Sequence, residues 1–307
     1  MWTWCNDCGR NFIDDGPGCD CVDNEGKDTM TQTIMDMAAE DYFALDAVSA
    51  SDLKALMRSP LYYQHYKAKG IKATPAMQLG TAAHMAILEP ERFASDCVMW
   101  DGAVRRGKVW DAFCEQYADK TILTVSEYDA CCSMAAAVRK HEGAVSWLTG
   151  GNPEVVLRWD YDGEGSMPCK CRIDWMPAGA GIVDLKTTAD PSPRAFSRTA
   201  ANLNYHMQLA WYRRGYRAVK RTDLCPVKIL AVQNQAPWDV VFYDVPEEVL
   251  ARGDELCDEA VDLLGRCEAS GNWFGADGGT GEQTLWLPAW AMGVDDVELD
   301  WTEGGGE

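Results

Sequence analysis

Asp174 closes the run Cys169-Lys-Cys-Arg-Ile-Asp174, and Asp184 and Lys186 follow within Gly181-Ile-Val-Asp-Leu-Lys-Thr-Thr188. Between them Pro177-Ala-Gly-Ala-Gly181 supplies a turn, as glycine and proline clusters do. Successive side chains of a β-strand face opposite ways, so Asp184 and Lys186 share one face and Val183 and Leu185 the other. If the two runs pair as a hairpin, Asp174 reaches the same edge. Two carboxylates and an ammonium are costly in an apolar core and well suited to a divalent cation, which takes hard oxygen ligands. On this reading Asp174 and Asp184 ligate Mg²⁺ (or Mn²⁺), and the backbone carbonyl of Leu185 can face the same ion. Lys186 then orients a water or stabilises charge developing on a phosphorane. Glu154, at the start of the preceding strand, is a further candidate ligand, and so is His84. The plainer alternatives are solvated charges on surface strands and, for His84, a hydrogen-bonded core histidine.

These side chains need a sheet and helices to hold them. Residues 154–160, 168–175 and 181–187 read as three strands, with two more at 227–233 and 238–245. Ser49-Ala-Ser51-Asp52 offers hydroxyl and carboxylate caps to a helix that continues, interrupted at Ser59-Pro60, to about His65 or Lys67. Residues 76–88 form a second helix rich in small residues, with His84 in its middle. Residues 124–148 read as one helix stopped by Gly150-Gly151, and a short helix starts at Pro191. A longer one spans 203–219 with Tyr205, Gln208 and Tyr212 along one side, and a last long helix runs from Pro246 to about Ala269. Strands and helices in this order predict an α/β fold around one central mixed β-sheet, the helix after the third strand being the crossover.

The chain has 307 residues, 47% of them hydrophobic and 25% charged, which is ample for a full-sized core. No stretch approaches the ~18 uninterrupted apolar residues of a membrane helix. The N-terminus lacks a basic and then apolar leader, so a cytoplasmic location is expected. A net charge of −20 argues against a protein that coats nucleic acid indiscriminately, though not against one with a locally basic channel. Val104-Arg-Arg-Gly-Lys-Val-Trp110 is one such basic patch; Arg105, Arg106 and Lys108 can grip phosphates beside a stacking Trp110, or simply form a solvated loop. Of 13 cysteines, Cys5, Cys8, Cys19 and Cys21 form a pattern, Cys-x2-Cys then Cys-x-Cys, that could hold a structural zinc ion. Four regions follow: a Cys-rich unit at 1–28, a linker at 29–41, a main domain at 42–291 and an acidic, Gly-rich tail at 292–307.

The set of motifs resembles a known family. Asp174 with Asp184-x-Lys186 looks like the PD-(D/E)XK nuclease motif in the form shared by the RecB, RecE and lambda exonuclease groups. Gln208-Leu-Ala-Trp-Tyr212 is similar to the Q-x-x-x-Y element that follows it. Gly80-Thr-Ala-Ala-His84 with Leu88-Glu-Pro, and Ser49-Ala-Ser-Asp-Leu-Lys with Arg58-Ser-Pro, resemble the upstream motifs of RecE-type (exodeoxyribonuclease VIII-like) enzymes, and Leu287-Pro-Ala-Trp resembles their ending. The resemblance implies that Asp174, Asp184 and His84 are metal ligands, Lys186 the catalytic lysine, Glu154 the early acidic residue, and Gln208 and Tyr212 a support for the site or a hold on the DNA end. It further implies a phage- or prophage-encoded 5′→3′ exonuclease acting in a bacterial host cell on linear double-stranded DNA ends and leaving 3′ strands. Its partner would be a RecT-like single-strand annealing protein, and its assembly a trimeric or tetrameric ring. Arg105, Arg106, Lys108, Arg194, Arg213, Arg214 and Arg217 are candidates for the basic lumen of such a ring. An endonuclease of the same fold and a non-catalytic interaction protein are the alternatives. The cysteine-rich N-terminus departs from the family pattern.

Overall fold

The computed structural model describes residues 2–4, 11–13, 31–35, 37–70, 74–161 and 167–285. Strands β1 (Trp2–Trp4) and β2 (Asn11–Ile13) pair antiparallel. Cys5, Cys8, Cys19 and Cys21, and with them the expected zinc site, lie outside the described residues, as does Leu287-Pro-Ala-Trp290. Next come β3 (Gln32–Ile34) and five helices, α1 (Ala39–Ala44), α2 (Ala50–Arg58), α3 (Pro60–Lys69), α4 (Pro75–Leu88) and α5 (Pro90–Asp96). β4 (Cys97–Trp100), α6 (Lys108–Gln116) and β5 (Thr121–Thr124) follow, with β4 and β5 paired in parallel. After α7 (Val125–Val138) and α8 (Glu142–Leu148) come β6 (Asn152–Tyr161), β7 (Met167–Met176) and β8 (Ile182–Thr188). The chain then forms α9 (Pro193–Asn202), α10 (Tyr205–Lys220), β9 (Val227–Gln233), β10 (Val240–Asp244) and α11 (Glu247–Ser270).

One six-stranded sheet, in the order β10-β9-β8-β7-β6-β3, organises the molecule. Only β8 and β9 run parallel, joined through α9 and α10; the other neighbours are antiparallel, so the sheet is mixed as expected. Each face carries its own core. On one side Leu53 and Leu56 of α2, Met207 and Trp211 of α10 and Leu264 of α11 pack on Val155, Leu157 and Ile173. On the other, Ala82, Ala83 and Ala86 of α4 and Met134 of α7 pack on Val183, Leu185 and Leu230. Full burial of a large apolar side chain is worth ~1.5–3 kcal/mol, so both layers are firmly attached. Among the described residues no helix is long and apolar enough to cross a membrane.

Three expectations change. The stretch 29–41 is not merely a linker, because β3 joins the sheet edge beside β6 and α1 begins at Ala39. Residues 124–148 are two helices rather than one; His141 Nδ1 accepts the Ala144 amide at 3.2 Å and caps a new start. The pair β4–β5 with α6 was not foreseen from the pattern, its strands being only four residues each.

Candidate active site

β7 and β8 run apart where the site lies. Their registered pairing is Trp175↔Val183, and beyond it the Leu185 amide donates not to a strand carbonyl but to Asp174 Oδ2 at 2.8 Å. The side-chain alternation of β7 also changes phase here: Cys171 and Ile173 face one core, yet Trp175 faces the other. On β6 the residue opposite the kink is Glu154, whose φ of +49° lies in the left-handed region that a non-glycine residue adopts at a cost. The kink turns two carboxylates, from β6 and β7, into one space.

Helix α4 brings the third group. Thr74 caps it by accepting the Met77 amide at 3.2 Å, Pro75 occupies its first turn, and fully buried Ala82 and Ala83 let it lie close on the sheet. His84 Nδ1 consequently sits 3.8 Å from Asp174 Oδ2. Ligand atoms of His84, Glu154 and Asp174 all lie within 4.8 Å of one another. One imidazole and two carboxylates in that space are a donor set a divalent ion fits. Arg172 Nε holds Glu154 Oε2 at 2.8 Å. Burial, opposed by Arg172 and reinforced by Asp174, still pushes the Glu154 carboxyl up to about 7. A cation placed among these groups would reverse that preference.

Asp184 and Lys186 lie on one face of β8 as strand alternation requires, with Lys186 Nζ 2.5 Å from Asp184 Oδ2. Asp184 has no exposed surface and Lys186 little. Burial raises the Asp184 carboxyl, Lys186 opposing it. For Lys186, burial acts to lower the ammonium's pKa, but Asp184 and Asp174 outweigh it and hold it above the ordinary lysine value. The lysine therefore keeps its proton. Asp184 is turned toward Lys186 and Gln208, beside the trio of His84, Glu154 and Asp174, whose donor atoms converge.

Gln208 and Tyr212, one turn apart on α10, face this pair. Gln208 Nε2 donates to Asp184 Oδ1 at 3.1 Å and to the Tyr212 hydroxyl at 3.0 Å. Burial raises the Tyr212 phenol well above its usual range, so it stays neutral. Two residues outside the expected catalytic and metal-binding set join the site. Lys54 of α2 donates to Gln208 Oε1 at 2.8 Å, and the Tyr205 ring lies under Lys186 Nζ at 4.9 Å. Lys54 belongs to a quoted motif, but helical periodicity marks it only as a polar-face residue.

The expected DNA-facing cations divide. Arg106, Lys108 and Arg194 are exposed. Arg105 is paired with Glu127 and donates to the Ile122 carbonyl, and Arg217 donates to the Asp223 carbonyl at 3.1 Å. Arg213 is not available to a phosphate: it is buried, bridging Glu247 at 2.6 Å and Asp254. Arg214 is likewise engaged by Asp254 and Asp258. Acidic residues of α11 were out of reach of any local pattern, so these two arginines could not be told from free ones. A groove of about 1050 Å³ opens beside Arg172, lined among others by Tyr42, Tyr66, Lys67, Arg105 and Trp110.

A family model described as a PDDEXK-like domain of unknown function matches residues 49–278. The fold is similar to that of a solved candidate exonuclease from Eubacterium rectale, with a TM-score of 0.57 and 15% identity over 85% of this chain and 98% of that one. A phage-related exonuclease from Haemophilus somnus 129PT aligns over 74% of this chain and 96% of that one at 13% identity, but its TM-score of 0.32 is too low to bear on the fold. No curated protein matches the chain.

Proposed function

The chain belongs to the PDDEXK-like domains of unknown function (DUF3799), and from that premise we propose that it is a divalent-metal-dependent exonuclease acting on linear double-stranded DNA. The observation that carries the reading is the meeting of the His84–Glu154–Asp174 donor trio with the Asp184–Lys186 pair at the parting of β7 and β8. His84, Glu154 and Asp174 would hold Mg²⁺ or Mn²⁺, which when bound supplies a Lewis acid for the phosphodiester. The Leu185 carbonyl leaves β8 on the same edge as its amide, toward Asp174, and can add an oxygen there. Lys186, protonated and pinned by Asp184, presents an ammonium that offsets charge gathering on the phosphate oxygens and can pass a proton to the departing oxygen. Gln208 and Tyr212 keep Asp184 in place. The groove beside Arg172 gives a strand a way in, with Arg105, Lys67 and Trp110 along its walls.

The finer reading follows the family resemblance: 5′→3′ polarity, 3′ single strands as product, a RecT-like annealing partner, and a ring of three or four chains. The N-terminal cysteines would bind structural zinc. Digestion of a duplex labelled at either 5′ or 3′ ends, beside a covalently closed circle of the same DNA, tests activity and polarity together. The expected result with Mg²⁺ is loss of the linear form from its 5′ ends while the circle persists. Rapid loss of the circle would favour an endonuclease, and equal behaviour of wild type and Lys186→Ala a non-catalytic role. Light scattering tests the ring, whose mass should be three or four times 34.0 kDa. Metal analysis of wild type beside Cys5→Ser tests the zinc.

A further inference from the structure

Lys54 reaches across 154 residues of sequence to Gln208, its Nζ 2.8 Å from the amide oxygen. An amide can turn end for end, exchanging its oxygen and nitrogen, and its neighbours decide which way it sits. With Lys54 protonated, the choice is forced. An ammonium only donates, so the Gln208 oxygen faces Lys54 and the nitrogen faces Asp184 Oδ1 and the Tyr212 hydroxyl. The turned amide would set nitrogen against ammonium and oxygen against carboxylate, two repulsions in place of two bonds.

The consequence passes along the site. Gln208 bonds one oxygen of the fully buried Asp184, and Lys186 meets the other at 2.5 Å. Asp184 can hold Lys186 in a single place only while its first oxygen is anchored. The Tyr205 ring centre lies 5.5 Å from Lys54 Nζ and 4.9 Å from Lys186 Nζ, within cation–π reach of both ammonium groups. Asp52, on the same helix as Lys54, is engaged in the Ser49 capping box and with Lys67, so no carboxylate of α2 competes for Lys54.

We propose that Lys54 is a positioning residue for the reaction: it selects the orientation of the Gln208 amide, which anchors Asp184 and thereby sets the Lys186 ammonium. The inference rests on the nuclease reading above. Burial and the repulsion of Lys186 push the Lys54 ammonium down to about 7, against the pull of Asp184, so Lys54 acts as a pure donor below that pH.

The test compares wild type, Lys54→Met, Lys54→Gln, Lys54→Arg, Gln208→Ala and the Lys54→Met/Gln208→Ala double variant on end-labelled linear duplex with Mg²⁺. Lys54→Met should lower kcat about 10–100-fold, the usual loss on removing a group that orients a ligand-bearing shell, with KM for the duplex unchanged. Lys54→Gln, which can offer Gln208 the wrong atom, should lose as much, and Lys54→Arg, another pure donor, should recover most of the rate. The double variant should be no slower than Gln208→Ala alone. A Lys54→Met enzyme with wild-type kcat overturns the proposal; so does a raised KM with unchanged kcat, which would mean direct contact with DNA. Losses that multiply in the double variant overturn it too, as does failure of Lys54→Arg to recover rate while its melting temperature matches wild type. Wild type inert on every DNA with Mg²⁺ or Mn²⁺ would instead take down the nuclease reading and this inference with it.

Discussion

Lys186 has two carboxylates around its ammonium and no alternative cation on its strand face, so its removal should be the most damaging change to chemistry. Lys186→Ala is expected to slow digestion by about 10²–10⁴-fold, the range for loss of a positioned proton donor, while duplex binding persists. Single-turnover rates against a gel-shift measurement check this. Glu154 poses a different trade. Its left-handed backbone and half-buried carboxyl are both costly, and the ion pair with Arg172 offsets only part of that, since the carboxyl still sits at about 7. Glu154→Asn keeps a residue that tolerates the left-handed region and removes the charge. Its melting temperature without metal should equal or exceed wild type, while calorimetry should show Mn²⁺ affinity lower by about tenfold or more. Wild-type affinity in that variant would remove Glu154 from the ligand set.

Between α10 and α11 the fit is decided by an absent side chain. A Cβ on Gly253 would come within 2.2 Å of the His206 carbonyl oxygen, which is backbone and cannot turn aside. Gly253→Ala must therefore push α11 off the helix that carries Gln208 and Tyr212. A loss of about 3 kcal/mol, the upper end for overpacking, is expected in thermal unfolding, with activity falling alongside. The same two helices are joined by Arg213 and Arg214 to Glu247, Asp254 and Asp258. Hydrogen bonds from Arg214 and Tyr161 hold the Asp258 carboxyl below its ordinary value. A carboxyl depressed on folding stabilises the fold above its unfolded pKa and loses that contribution as pH falls through its folded pKa. Melting temperature should thus fall on acidification below about pH 4, near the unperturbed aspartate value, and Asp258→Asn should show a shallower fall.

At the scale of the whole molecule, a net charge of −20 leaves DNA few places to approach. Cations already neutralised inside the fold, such as Arg213, do not help. The exposed Arg106 and Lys108 can, and each phosphate contact would release condensed counterions. Replacing both with glutamine in a Lys186→Ala background should reduce the slope of log affinity against log salt by about 2. An unchanged slope would exclude them from the DNA path.

Much of this protein is written in its local sequence. Short β-rich runs marked the five strands from Asn152 to Asp244, the stretch from Ser49 to Asp52 offered caps where α2 starts, and one-turn spacing put Gln208 and Tyr212 on a common face. Such features depend on residues a few places apart, whose relation is set by helix or strand geometry alone. The tertiary structure decided which charges meet. It paired Arg213 with α11 rather than leaving it for DNA, turned Glu154 through a left-handed kink toward His84 and Asp174, and set Lys54 on Gln208. Those outcomes depend on distances between segments far apart in the chain, which packing of the two cores fixes and no local period encodes. The hairpin with Asp174, Asp184 and Lys186 was legible as chemistry; the neighbours that hold it ready became visible only once the chain was folded.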